Sequence, residues 1–177
     1  MNKKLIPILS IVILFIIAVV LSKPLYQKQN TTEKITLSNI DSIVIEKGYK
    51  DMRFQNVTAN IWTLIGEKDA VVDESKLKRV ISSINQFTFT EIISENPKKY
   101  GYFQVSNNST LKISLLKEKE IIRKYYLGKY NPSFSTTFVR KENDPKVYQV
   151  STYLPYSINF EKDTWLVKST DNAKLNP

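Results

Sequence analysis

The hydrophobic positions along this chain follow three successive rhythms. The first is an unbroken apolar run over residues 5–21, LIPILSIVILFIIAVVL, whose only polar side chain is Ser10. About 17–25 mostly apolar residues suffice for a helix to cross a bilayer core. Lipid offers the backbone no hydrogen-bond partners, so a crossing segment there must be helical. Pro7 falls in the first turns, where its missing N–H costs little. Lys3 and Lys4 precede the run and Lys23-Pro24 follows it. That asymmetry keeps the N-terminus in the cytoplasm and sends the remainder across. A cleaved secretory signal would have a shorter core and a small-x-small site; Ala18-Val19-Val20 and Leu21-Ser22-Lys23 match that site poorly. Residues 1–22 therefore read as an uncleaved anchor in the cytoplasmic membrane. Residues 23–34, KPLYQKQNTTEK, read as a polar tether.

The second rhythm begins at Ile35 and has a period of two. Ile43-Val44-Ile45 reads as a strand, followed by a turn at Lys47-Gly48-Tyr49. Met52, Phe54 and Val57 give a second strand. Ile61, Trp62, Leu64 and Ile65 give a third, stopped by Gly66. Trp62 is expected in the core. The third rhythm is helical: Leu77, Val80, Ile81, Ile84 and Phe87 recur at steps of three and four and share one face. Asp73 is placed to cap that helix, and Glu74 suits the positive end of its dipole, with Lys78 and Arg79 pointing outward.

Strand rhythm then returns. Thr88–Ile93 reads as a strand and Ser94–Lys99 as a loop, since Pro97 disfavours helix just before it. Leu111, Ile113 and Leu115 alternate and are answered by Glu120–Leu127 across the link Lys117-Glu118-Lys119, a hairpin ended by Gly128. Ser135–Arg140 and Val147–Val150 surround a turn at Asn143-Asp144-Pro145. Ser151 is placed to cap a short helix holding Leu154, Ile158 and Phe160, and Trp165-Leu166-Val167 reads as a closing strand. The fold class expected is α+β, antiparallel β meanders packed with a few helices, behind one N-terminal transmembrane helix. The folded domain spans 35–170 and a frayed tail covers 171–177. Strands, a capped helix and a return strand occur before Ile93 and again after Leu111, which suggests two similar halves.

Composition narrows the chemistry. The 177 residues leave room behind the anchor for one domain with a real core. The net charge is +9, from 26 basic and 17 acidic residues; without Lys3 and Lys4 the basic count is 24. Exported basic domains meet anionic lipid, wall polymer or glycan, and base-biased genomes also supply lysines as plain solvated surface. There is no cysteine, so packing rather than disulfides must hold the domain. There is no histidine, which removes Ser-His-Asp and Cys-His chemistry and imidazole metal ligands. No phosphate-cradling glycine loop is present, and nucleic acid is not an expected partner outside the cytoplasm.

Carboxylates remain for catalysis. Glu91 and Glu95 flank a strand end, Asp69, Asp73 and Glu74 precede the helix, and Glu142 and Asp144 share a turn. A hydrolase would need two of them across a substrate bond, and pairs so close in sequence are ordinary in turns and caps. The expectation is no catalytic residue, no cofactor and no metal. A basic, tyrosine-rich set is the candidate binding surface: Lys98, Tyr100, Arg123, Lys124, Tyr126, Lys129, Tyr130 and Arg140. Cations beside aromatic faces suit sugars or lipid head groups, and strand alternation would equally divide such a set between core and solvent.

The order of several short motifs resembles an uncharacterised bacterial envelope family, DUF4340. They are Trp62, Val72-Asp73 leading into Leu77, Val80, Ile84 and Phe87, then Ser94-Glu95-Asn96-Pro97 with Tyr100-Gly101-Tyr102. Leu127-Gly128, Phe138-Val139-Arg140 and Val147-Tyr148-Gln149-Val150 complete the series. Tyr102 stands where the family commonly shows Leu. The resemblance covers Ile43 to Lys168. It implies an anchored envelope protein, with some members acting as auxiliary subunits of ABC-type export systems, and transfers no catalytic residue. The functional expectation is a non-enzymatic extracytoplasmic interaction subunit whose partner is a membrane protein such as an ABC-type export complex. An anionic glycan or lipid binder is the alternative, and a carboxylate hydrolase the third.

Overall fold

The computed structural model describes residues 34–58, 61–67, 70–89, 91–108, 111–152 and 154–167. The anchor expected at 5–21, nearly all of the tether and the tail at 171–177 lie outside them. Among the described residues no helix is long and apolar enough to cross a membrane.

Eight described strands form one antiparallel sheet. They are β1 (Ser42–Lys47), β2 (Lys50–Thr58), β3 (Ile61–Leu64), β4 (Glu91–Ser94), β5 (Leu111–Lys117), β6 (Glu120–Tyr130), β7 (Thr137–Lys141) and β8 (Val147–Val150), in the order β3-β2-β1-β5-β6-β7-β8-β4. Tight links join β1 to β2 and β5 to β6. Gly48 takes φ +61° in the first link, and Glu118 and Lys119 both take positive φ in the second. Two central residues at positive φ match the right-handed twist of a hairpin. The Asp41 carboxylate holds that turn by accepting the Glu118 backbone N–H at 2.6 Å.

The two meanders meet at β1 and β5, where Ile43 faces Leu115 and Ile45 faces Ile113. Each run then sends its last extended segment past the other. β4 crosses to pair with β8. Leu166 crosses to bridge Val72, and Val71 in turn bridges Thr63 of β3.

The long helix α1 (Glu74–Asn85) covers one face of the sheet. Leu77, Val80, Ile81 and Ile84 are buried along its stripe, and Asp73 caps it by accepting the Ser75 N–H at 3.0 Å. The covered face supplies Ile43, Ile45, Phe54, Trp62, Ile113, Leu115 and Leu127, so strand alternation and helical periodicity meet in one core. Full burial of each such aliphatic side chain is worth about 1.5–3 kcal/mol.

The opposite face is half covered. Residues 93–107 form a strap across β6, β7 and β8. It holds a 3₁₀ turn (Pro97–Lys99) and the one-turn helix α2 (Tyr100–Phe103). Phe103 and Val105 from the strap pack on Tyr126, Phe138 and Val147, with Ile93 and Tyr100 alongside. On the same face the outward side of β2 and β3 stays open: Arg53 and Gln55 are exposed, as are Ile61, Ile65 and Val71.

Four expectations of detail change. β4 starts at Glu91 rather than Thr88, because Phe87 and Phe89 turn into an aromatic group. The Phe87 and Tyr125 centroids lie 5.5 Å apart, and those of Phe89 and Tyr148 lie 5.2 Å apart. Gly128 does not end β6, which runs on to Tyr130. The strap passes over Gly128 so closely that a Cβ there would collide with the Phe103 carbonyl and stand 2.9 Å from Val105 Cγ1. A glycine inside a strand often marks such a close approach. The short helix α3 (Leu154–Ser157) is capped by Thr152 rather than Ser151, since the Thr152 hydroxyl accepts the Leu154 N–H at 3.2 Å. Trp165 ends a 3₁₀ turn (Lys162–Trp165), leaving Leu166 as the bridging residue.

Candidate functional site

The basic, tyrosine-rich residues divide between buried and exposed positions. Arg140 of β7 is buried, and its Cζ sits 3.7 Å from the Tyr126 ring centroid and 4.7 Å from that of Tyr100. Its Nε donates to the Val105 carbonyl at 3.2 Å and an Nη to the Asn107 amide oxygen at 2.8 Å. Among the described residues no carboxylate pairs with it. The guanidinium is stacked and hydrogen-bonded into the underside of the strap, a use that suits its planar fork. Tyr100 reinforces it by donating its hydroxyl to the Pro145 carbonyl at 2.9 Å. Tyr126 donates its hydroxyl to Glu142, whose carboxylate also lies 3.8 Å from Lys124 Nζ.

The remaining members sit apart. Lys129 Nζ stands 3.9 Å above the ring of Tyr102, which is well exposed. Lys98 is exposed on the 3₁₀ turn. Tyr130 is buried against Phe134, with centroids 6.4 Å apart. Arg123 pairs across the sheet with Leu115 and so projects to the helix-covered side, opposite to Lys124. There, burial raises the pKa of Tyr125 and the charge of Arg123 partly offsets that rise. The structure thus brings Tyr100, Lys124, Tyr126 and Arg140 together and separates Lys98, Arg123, Lys129 and Tyr130 from them.

Most of the carboxylates weighed for catalysis hold local structure. Asp73 caps α1; the Ser75 hydroxyl and N–H, with Lys76, hold its carboxyl below the usual range. Glu74 pairs with Lys78 at 3.2 Å. Burial alone would raise Asp144, but the Lys146 N–H, the Tyr148 hydroxyl and Lys141 outweigh it and hold Asp144 low. The same burial and the neighbouring Asp144 push the Tyr148 hydroxyl well above its ordinary value. Glu142 and Asp144, close in sequence, serve different partners: Tyr126 for one and Tyr148 for the other. Glu91 is exposed and Glu95 lies 3.8 Å from Lys146. Asp69 lies outside the described residues. Among the described residues no group of three or more acidic, His or Cys side chains is placed to hold a metal ion.

A cleft of about 590 Å³ lies elsewhere, between a flank of α1 and the 151–165 segment. From α1 it takes Lys76, Arg79, Val80, Ser83 and Gln86; from the other wall it takes Ser151, Leu154, Ile158, Asn159 and Trp165. The Trp165 indole N–H donates to the Asn159 carbonyl at 2.6 Å and fixes that wall. Lys76 closes one end, bound to the Thr164 carbonyl and to Asp73. Sequence reading placed Arg79 outward and missed the cleft, because its walls are some seventy residues apart in sequence. The available signal was the polar flank Arg79-x-x-Ser82-Ser83 beside the apolar stripe.

The family model described as "Domain of unknown function (DUF4340)" matches residues 62–173. The chain belongs to this family. The match opens at Trp62 inside β3 and takes in α1, the strap and β4 to β8, while the resemblance in the sequence begins at Ile43. No curated protein and no solved structure matches the chain.

Proposed function

We propose that this protein is a non-enzymatic interaction subunit on the outer side of the bacterial cytoplasmic membrane, held there by residues 5–21. The observation that carries this reading is the open half of the outer sheet face. Ile61 and Ile65 flank Thr63 on β3 and its continuation, and Val71 lies across the bridge from Thr63. Side chains two apart on a strand share a face, so three exposed aliphatic residues form one patch beside a strap-covered half. Such patches on a folded domain mark contact surfaces.

The occupant of this face is a membrane protein. Residues 22–33 extend at most about 40 Å, so the domain works within reach of the membrane surface. The partner class is the ABC-type export complex that the family resemblance implies. The exchange of terminal segments between the two meanders supports a domain of two similar, interlocked halves behind the anchor.

The test is a photoreactive amino acid at Ile65 in the full chain, with one at Lys78 as reference, irradiated in native membranes. The expected result is a discrete adduct with an integral membrane protein from position 65, lost when Ile61→Lys and Val71→Lys are added. Adducts only with a second copy of this chain, or none from position 65, would overturn the reading.

A further inference from the structure

The cleft between α1 and the 151–165 segment has no part in that docking reading, and its lining is chemically one-sided. Among the described residues that line it none is acidic, and two are cations, Lys76 and Arg79. Lys76 is already engaged by Asp73 and the Thr164 carbonyl. Arg79 is exposed, and among the described residues no carboxylate pairs with it. One guanidinium is therefore left to meet one anionic group, and its fork fits a carboxylate in two parallel hydrogen bonds.

The rest of the lining fits a hydroxylated ring. Ser82, Ser83 and Gln86 on the helix side, and Ser151 opposite, make no side-chain hydrogen bond with the described residues, so each can serve a ligand. Hydroxyls and amides that both donate and accept suit sugar hydroxyls. Val80, Leu154 and Ile158 supply an apolar floor for the C–H face of a ring. The volume falls within the 300–1,000 Å³ typical of small-molecule sites. A densely charged phosphate ester would call for more than one unengaged cation.

We propose that this cleft is a binding site for an acidic sugar, with its carboxylate on Arg79 and its hydroxyls on the serines of both walls. The chain has two tryptophans, Trp165 in the cleft wall and Trp62 in the core, so their indole N–H resonances separate a local from a general effect. The experiment titrates glucuronate into the ¹⁵N-labelled full chain in detergent micelles. The Trp165 signal is expected to move saturably while that of Trp62 stays in place. Arg79→Gln should weaken the midpoint at least tenfold with both indole signals otherwise retained, and Lys78→Gln should leave it unchanged. Glucose and sodium phosphate should each bind at least tenfold more weakly than glucuronate. An unmoved Trp165 signal, an Arg79→Gln midpoint equal to the parent's, or equal binding of glucose or phosphate would overturn the assignment. Failure here leaves the docking surface on the other face of the sheet untouched.

Discussion

At the scale of single residues, acidic side chains hold this domain together more than they decorate it. The Asp73 carboxylate accepts the Ser75 N–H, a first-turn amide that α1 would otherwise leave unpaired, so Asp73→Ala should cost about 1 kcal/mol of stability, read as a lowered unfolding midpoint of the full chain in detergent. Asp144, like Asp73, is an acid-sensitive group. Its folded-state pKa lies below its unfolded value near 3.9, so the folded state binds fewer protons in acid and loses stability there. The contribution is complete above about pH 4 and fades as pH falls through the depressed value. Asp144→Asn should flatten that acid limb in a series of unfolding curves from pH 6 to pH 2. Equal slopes in parent and variant would show that Asp144 contributes nothing to it. Trp62 was legible as core from its place in an alternating strand, and it is 1% exposed. The fate of Arg140 was not legible: a cation that stacks under a strap drawn from forty residues earlier looks, in sequence, like any surface cation.

At the scale of elements, the strap is the feature with the most consequences. Arg140 ties it to β7, and Gly128 lets it lie against β6. Arg140→Ala should cost at least about 2 kcal/mol, because a charge-assisted bond to a backbone carbonyl is lost with the stacking. It should also speed tryptic cleavage at Lys98 and Lys99 by more than it speeds cleavage at Lys47. Uniform acceleration at all three sites would point to global loosening instead. Gly128→Ala should destabilise by a comparable amount, seen as a fall in unfolding midpoint, since the Cβ would meet backbone that cannot step aside. Both α1 and the β1–β2 and β5–β6 hairpins were readable from periodicity and turn residues, because those signals are local. The start of β4, the course of β6 past Gly128 and the bridging role of Leu166 were not. Each is set by contacts with distant elements: the aromatic group around Tyr125, the strap, and the edge beyond β3.

At the scale of the whole molecule, the sheet has one face closed by α1 and the other divided between a strap and an open apolar patch. Sequence alone supplied the α+β class and family, and both stand. It did not supply the strand order, since no local pattern announces that terminal segments cross to opposite edges. Nor did it show the cleft or the patch, which arise only when those edges are filled. The proposed docking of this patch in an anchored domain makes a specific demand: the patch is then hidden in the cell and bare once purified. The chain has no cysteine, so a single introduced thiol reports its own accessibility. The measurement is the rate at which a membrane-impermeant maleimide labels Ile65→Cys and, as a fully exposed reference, Tyr49→Cys, in intact spheroplasts and in the purified full chain. Tyr49→Cys is expected to label fast in both, and Ile65→Cys at least tenfold more slowly in spheroplasts than after purification. Equal rates at the two positions in spheroplasts, or labelling of Tyr49→Cys only after lysis, would contradict that docking.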